Sequence, residues 1–232
     1  MDLITCKDLN LNYGKKQALK DINFNISKGR IVGLLGSNGS GKTTLIKVIT
    51  NLLSSYSGEI LINGNKPGIE TKKIISYLPE RSYLPDDKKV YEIINYFEDF
   101  YKDFNKVTAY KLLTKLNIDS KERLKHLSKG TKEKIQLVLV MSREADLYVL
   151  DEPIGGVDPV ARDYILDLIL ENFKDDSSII ISTHLISDIE RILDDVIFLN
   201  DGKIILTSSA DELRDKYNSS IENAFKEVFK NA

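Results

Sequence analysis

A glycine-rich segment between residues 36 and 43 carries the strongest chemical signal in the sequence. Its letters, GSNGSGKT, fit the pattern G-x-x-x-x-G-K-[ST], in which glycines let consecutive backbone N–H groups turn toward one anion. The pattern predicts a loop that cradles the phosphates of a nucleotide. The predicted contact residues are Gly36, Ser37, Asn38, Gly39, Ser40, Gly41, Lys42, Thr43 and Thr44.

Two side chains at the end of this segment have chemistry that suits a nucleotide. Lys42 places an ammonium group near the outer phosphates, and the Thr43 hydroxyl can ligate a Mg²⁺ ion held between them. A helix that begins here also points its positive end at the anion. The competing interpretation is a glycine-rich turn with a solvated lysine, and the specificity of the pattern makes it the weaker one.

A pair of carboxylates, Asp151 and Glu152, stands at the end of the apolar run that begins at Leu147. Strand ends are where α/β sheets bind ligands, so Asp151 is placed to hold Mg²⁺. Glu152 can orient the water that attacks the terminal phosphorus, or accept its proton. Alternatively, the two acids end a strand and Pro153 starts a helix. The phosphate-binding pattern favours the catalytic interpretation.

The composition excludes several classes of protein. With 33 basic and 35 acidic residues among 232, the net charge is −2, so no basic field exists of the kind that holds proteins on nucleic acid. One cysteine cannot form an internal disulfide, which favours a cytoplasmic location. No apolar run approaches the roughly 20 residues that cross a bilayer, so a membrane function requires a separate membrane-spanning chain.

Short apolar segments alternate with segments of helical period, which predicts an α/β core. Residues 3–12 and 17–26 alternate apolar and polar positions around a turn, as expected of an antiparallel hairpin. A helix is predicted from Gly41 to about Leu53. The predicted buried strands are 31–36, 74–78, 147–151, 179–182 and 196–199.

Residues 90–145 interrupt this alternation, because they hold no good strand and show apolar residues at helical spacing. The aromatic residues Phe97, Phe100 and Phe104 belong to this pattern, which predicts a helical lobe inserted in the core. A further short helix is predicted over 221–229. The expected organisation is a single domain over 1–232, with the α/β core at 1–80 and 146–210, the helical lobe at 81–145 and a helical tail at 211–232.

The order of these motifs resembles the nucleotide-binding subunits of the ATP-binding cassette family, over about Leu3 to Leu206. Residues 127–131, LSKGT, precede the acidic pair and look like the family signature LSGGQ. The resemblance implies an α/β fold: a phosphate-loop NTPase (RecA-like) core with an antiparallel β subdomain and an inserted α-helical subdomain. It also implies an ATPase with ATP and Mg²⁺ as cofactors.

The resemblance assigns roles to further residues. Tyr13 is expected to stack on adenine, although a core tyrosine is the alternative. His184, after the strand segment IIIST, is expected to contact the γ-phosphate and the attacking water. Asp158 lies in a segment similar to the family's D-loop, which reaches across a dimer interface. Ser128 and Gly130 match the signature positions that grip a γ-phosphate.

Two positions depart from the family pattern. Glu80 stands where the family usually carries glutamine. A carboxylate can still ligate Mg²⁺ or water, but it cannot donate a hydrogen bond while ionised. Lys129 replaces a signature glycine, and it either adds a cation to the phosphate site or points to solvent, the second being favoured.

The resemblance also implies partners. Two cassettes pair head to tail, as a homodimer or as a heterodimer with a second ATPase, and each completes the site of the other. A separate integral membrane permease would place the chain at the inner face of the cell membrane, with export of peptides or antibiotics as the favoured activity. The alternatives are a soluble ATPase of iron–sulfur cluster assembly and a nucleotide switch without turnover.

Overall fold

The computed structural model describes residues 2–155, 157, 159–174 and 176–230, with the backbone alone at 159–161. The strands are β1 (Asp2–Tyr13), β2 (Lys16–Ser27), β3 (Ile31–Leu35), β4 (Ser57–Ile62), β5 (Ile75–Leu78), β6 (Leu147–Asp151), β7 (Ser178–Thr183), β8 (Asp195–Asn200) and β9 (Lys203–Ser209). The helices are α1 (Lys42–Ile49), α2 (Ile69–Ile74), α3 (Val90–Phe100), α4 (Lys106–Lys115), α5 (Lys129–Met141), α6 (Pro159–Glu171), α7 (Ile186–Ile189), α8 (Ala210–Tyr217) and α9 (Ile221–Lys230). Two short 3₁₀ helices span Leu124–His126 and Glu190–Ile192.

The larger sheet has six strands in the order β5-β6-β7-β3-β8-β9. Its first five strands run parallel and β9 is antiparallel to β8. Every residue of β3, β6 and β7 is buried, which explains their continuous apolar sequences. Asp151 lies opposite Ser182 and Leu35 lies opposite Thr183, so the carboxyl ends of these three strands meet at one edge.

The smaller sheet is antiparallel, with the order β2-β1-β4. The predicted hairpin of β1 and β2 is confirmed, and Gly14 supplies the positive φ of +57° that its turn requires. Strand β4 was not predicted, because its first three residues are exposed and only Ile60 and Ile62 show the buried alternation. Strand β9 was also missed, since none of its residues is fully buried.

Helix α1 follows the glycine-rich loop as predicted but ends earlier, at Ile49 instead of Leu53. The Thr50 hydroxyl donates to the carbonyl of Ile46 at 2.9 Å, and Asn51 adopts a left-handed φ of +54°. A left-handed residue after the last turn is a common helix stop. The chain therefore leaves the helix before Leu53.

Between β5 and β6 the chain forms the helices α3, α4 and α5, and residues 90–145, all of them described, contain no strand. Phe97 and Phe104 are buried in the packing of these helices, as their spacing predicts. Phe100 differs, because its side chain is 65% exposed. The helical lobe thus presents one of its predicted core aromatics to solvent.

Arg143 attaches this lobe to the edge of the larger sheet. Its guanidinium donates to the carbonyls of Ile75 at 2.6 Å and Lys73 at 3.0 Å, and it pairs with Asp103 at 2.9 Å. The same group lies over the ring of Tyr101, 4.1 Å from its centre. The buried guanidinium of Arg143 therefore connects Tyr101 and Asp103 of the helical lobe to the backbone at the start of β5.

Helix α9 confirms the short helix predicted near the end of the sequence. Ile221 is buried, and the rings of Phe225 and Phe229 pack on Phe198 of β8. Across the described ranges, no helix has the length and apolar character that a membrane span needs.

Candidate functional site

An open cleft of about 1070 Å³ runs past the glycine-rich loop and the carboxyl ends of β6 and β7. Its lining includes many of the predicted site residues, namely Tyr13, Asn38, Gly39, Gly41, Lys42, Thr43, Thr44, Glu80, Glu152 and His184. Of the other loop residues, Gly36 and Ser40 are buried and Ser37 is exposed outside the lining. The alternative of a core tyrosine is wrong, because Tyr13 is 47% exposed.

The three glycines of the loop serve different purposes. Gly39 and Gly41 have φ values of +82° and +112°, which favour glycine. Gly36 is restricted by packing instead, since a Cβ there would lie 2.3 Å from the carbonyl oxygen of Leu199 and 2.6 Å from the Ser40 hydroxyl. The loop is therefore held from behind by the end of β8.

Lys42 is the buried cation of the cleft. Its ammonium group donates to the carbonyls of Gly36 at 2.8 Å and Ser37 at 3.3 Å, and lies 3.7 Å from a Glu152 oxygen. Burial lowers the pKa of Lys42 from its ordinary value, and the nearby Glu152 carboxylate opposes that shift. A phosphate beside this group would further stabilise its charged form.

Asp151 is fully buried at the end of β6. Its Oδ1 accepts hydrogen bonds from Ser182 at 2.5 Å and from Thr43 at 3.4 Å, whereas its buried Oδ2 has no hydrogen-bond partner. Burial raises the pKa of Asp151, and the hydrogen bonds from Ser182 and Thr43 oppose the rise. A divalent cation would satisfy the free oxygen and stabilise the carboxylate.

The donors present here suit Mg²⁺. The Thr43 hydroxyl and the Asp151 carboxylate are hard oxygen ligands, and the exposed Glu80 carboxylate lines the same cleft. Within the part of the chain that the structure describes, no group of three His, Cys, Asp or Glu side chains forms a metal cage. A site with one or two protein ligands completed by phosphate and water is typical of Mg²⁺.

Glu152 has an unusual backbone for a non-glycine residue, with φ of +52°. Its N–H donates to the Ser182 carbonyl at 3.0 Å, and the Thr183 hydroxyl donates to its carboxylate at 3.3 Å. Such a conformation costs on the order of 1 kcal/mol, and outside turns it is often found at functional sites. The strained turn directs the carboxylate toward Lys42 and the cleft.

His184 lies beside Glu152 at the end of β7. Its Nδ1 is 3.0 Å from one carboxylate oxygen and 3.1 Å from the other. With Nδ1–H as the donor, neutral His184 presents Nε2 as an acceptor. Lys42, Glu152 and His184 thus form a continuous line of polar groups along the cleft.

Two residues that position this line were not selected from the sequence. The Ser182 hydroxyl donates to the Asp151 carboxylate and accepts from the Glu152 N–H. The Thr183 hydroxyl donates to the Glu152 carboxylate and accepts from the N–H of Leu185. The signal in the sequence was Ser182 and Thr183, two hydroxyl residues that directly follow the apolar run 179–181. The sequence does not show that strand β7 pairs with β6, which is what brings the two hydroxyl groups to Asp151 and Glu152.

The signature-like segment lies on the helical lobe. The Ser128 hydroxyl caps α5 by accepting from the Thr131 N–H at 3.2 Å, and both Ser128 and Gly130 are exposed outside the cleft lining. Lys129 lines the far wall of the cleft, with a side chain that is 87% exposed and 3.6 Å from Glu133. Asp158 lies outside the described residues.

Residues 19–155, more than half of the chain, match the family model described as ABC transporter. This chain belongs to that family. It is 33% identical over 218 residues to the ABC transporter ATP-binding protein YtrB of Bacillus subtilis, covering 93% of this chain and 75% of YtrB. It is 31% identical over 226 residues to the lantibiotic transport ATP-binding protein SrtF of Streptococcus pyogenes, covering 94% of this chain and 97% of SrtF.

A solved structure of an ATP-binding subunit of an ABC transporter matches with a TM-score of 0.86 and 29% identity, over 98% of this chain and 99% of that one. The predicted fold class is therefore confirmed. As an ABC ATP-binding subunit, the chain binds ATP and is an ATPase whose activity is coupled to transport. Subunits of this family work in transporter complexes with membrane components.

Replacing Lys42 by alanine should weaken ATP binding at least tenfold, because the change removes the buried ammonium group of the cleft. Isothermal titration calorimetry would measure this loss. Lys47→Ala is the matched control, since Lys47 belongs to the same helix but does not line the cleft. Unchanged ATP affinity in the folded Lys42→Ala protein would contradict the assignment of the phosphate site.

Proposed function

We propose that this ATPase subunit drives export through a separate membrane permease, and that a second cassette completes each of its ATP sites. The observation that carries the proposal is the separation of two half-sites on one chain. The phosphate loop and Glu152 line the cleft, whereas Ser128 and Gly130 do not, and of the signature-like segment 127–131 only Lys129 reaches the lining. We also propose the division into core, helical lobe and tail with the boundaries expected from the sequence.

The exposed signature supports a partner chain. Gly130 has no heavy atom within 4 Å of the position that a Cβ would take, so packing within this chain does not require glycine there. The first turn of α5 also presents backbone N–H groups and the positive end of a 13-residue helix. Such a surface suits the γ-phosphate of an ATP bound to another cassette, in a homodimer or a heterodimer.

The catalytic roles follow from the line of polar groups in the cleft. Lys42 and the loop N–H groups hold the phosphates, and Tyr13 stacks on the adenine. Glu152 accepts a proton from the attacking water, while His184 orients that water and the Glu152 carboxylate. Thr43, Asp151 and Glu80 are the residues that would hold Mg²⁺, which neutralises charge on the phosphates when bound.

An aromatic surface on the helical lobe suits a membrane partner. The exposed rings of Tyr96 and Phe100 stack at 5.9 Å, and Phe100 packs edge-on against Tyr101 at 4.9 Å. Tyr83 is also exposed, near the exit of β5. Contiguous exposed aromatics commonly mark interaction sites. We propose that a permease segment docks here and holds the chain at the inner face of the membrane.

We infer the direction and the cargo of transport from proteins that are similar to this chain. SrtF is a lantibiotic transport ATP-binding protein, and the match covers 97% of it. The SkfA peptide export ATP-binding protein SkfE of Bacillus subtilis is 31% identical over 211 residues. These similarities support export of a peptide, with the permease supplying the cargo site.

The substitution Glu152→Gln should reduce ATP turnover at least a thousandfold while ATP binding persists, because the amide keeps the size of the carboxylate but cannot accept the proton. With ATP bound and not hydrolysed, the variant should accumulate as a dimer. Phosphate release and analytical ultracentrifugation would measure the two effects. Turnover at the normal rate, or a monomer with ATP, would contradict the role of Glu152.

The substitution Gly130→Ala tests the second half-site. Within the chain the added methyl group meets open space, and alanine favours a helix over glycine by roughly 0.5–1 kcal/mol, so thermal stability should be kept or raised. ATP binding to the monomer should be unchanged, whereas ATP turnover should fall at least tenfold. Full turnover would show that no partner approaches this position.

The substitutions Tyr96→Ser and Phe100→Ser together test the docking surface. ATP affinity should stay at the normal value, because neither ring lines the cleft. In the cell that produces the chain, the fraction that sediments with membranes should fall at least threefold. Ile69→Ser is the control, since Ile69 is 79% exposed but lies on α2. If the double variant sedimented with membranes as much as the Ile69→Ser control does, this docking site would be excluded.

A further inference from the structure

The turn between β8 and β9 contacts the phosphate loop and strand β2 at the same time. The N–H of Gly202 donates to the carbonyl of Ser40 at 2.8 Å, and the carbonyl of Gly202 accepts from the N–H of Lys20 at 2.7 Å. Ser40 belongs to the phosphate loop, and Lys20 belongs to the strand that begins at Lys16. One peptide segment therefore joins the two walls of the nucleotide cleft through main-chain hydrogen bonds.

The packing around this turn leaves little space. Gly202 is buried with φ of +76°, and a Cβ on it would lie 2.5 Å from the carbonyl oxygen of Ala18. From the other side, a Cβ on Gly41 would lie 3.0 Å from that same oxygen. Both glycines thus lie close to the Ala18 carbonyl, and a side chain at either position would crowd it.

An ion pair adds a further link between the same two segments. The Lys20 ammonium lies 2.6 Å from the Asp201 carboxylate, and this hydrogen bond lowers the pKa of Asp201. Because the Asp201 side chain is 83% exposed, solvent screens the pair and its stabilising effect is small. The main-chain hydrogen bonds and the close packing of Gly202 are therefore the principal constraints.

We infer that the Asp201–Gly202 turn is a positioning element for ATP, which fixes the distance between strand β2 and the phosphate loop. Lys16, Gln17 and Ala18 line the cleft beside Tyr13, on the side expected for the base. Ser40 and Gly41 stand at the phosphate side. The turn sets the separation of these two walls, and its residues take no part in the chemical step. This inference rests on the proposed placement of ATP in the cleft.

The variant Gly202→Ala tests this inference, and the chain offers a closely matched control. Asn63 and Gly64 form a turn with φ values of +48° and +77°, almost the same as +44° and +76° at Asp201 and Gly202. Both alanine variants suffer the same backbone strain. Only at Gly202 does the methyl group also meet a neighbour, since nothing lies within 4 Å of a Cβ at Gly64.

For Gly202→Ala, we expect the Kd and the KM for ATP to rise about tenfold, with kcat changed less than threefold because Glu152 and His184 lie on other strand ends. Inorganic tripolyphosphate, which has no base, should lose less affinity than ATP. Gly64→Ala should keep the normal values. Normal ATP affinity in folded Gly202→Ala, or a fall in kcat with KM unchanged, would overturn the inference.

Amide hydrogen exchange of the unmodified protein provides a test that does not depend on the variant folding. Addition of ATP should slow exchange at the Gly202 amide at least fivefold, because ATP would immobilise the phosphate loop, whose Ser40 carbonyl accepts the hydrogen bond from this amide. Unchanged exchange with ATP bound would overturn the positioning role. Failure of the unmodified protein to bind ATP in the cleft would instead overturn the placement of the nucleotide.

Discussion

The site depends on the register of three parallel strands. Because Asp151 lies opposite Ser182 and Leu35 lies opposite Thr183, the strands β6, β7 and β3 end at the same level. The Ser182 hydroxyl then reaches the Asp151 carboxylate at 2.5 Å, and the phosphate loop starts immediately beside both. A shift of one residue in either pairing would turn these side chains to the opposite face of the sheet.

At the ends of these strands, the protein's own charges of opposite sign lie close together. Lys42 is held 3.7 Å from Glu152, and Asp151 keeps one buried oxygen without a partner. Burial disfavours the charged form of both Lys42 and Asp151. A phosphate group and a divalent cation would compensate these two charges, so the residues of the site suit a metal-bound nucleotide.

The sequence predicted the parts of this site that are local in the chain. The loop from Gly36 to Thr43 and the pair of Asp151 and Glu152 are recognisable because their chemistry is contained in a few neighbouring residues. The hydroxyl of Ser182 was not recognised, since its role exists only through pairing with a distant strand. Packing of Leu199 against Gly36 and of the β8–β9 turn against Ser40 was missed for the same reason.

We propose that one chain carries two half-sites and that ATP turnover needs a second cassette. The most direct measurement is the ATPase rate per chain as a function of chain concentration, at saturating ATP and Mg²⁺. If two cassettes form each site, the rate should be low in dilute solution and rise to a plateau as dimers form. A rate per chain that stays constant and high down to concentrations where scattering shows only monomers would contradict it.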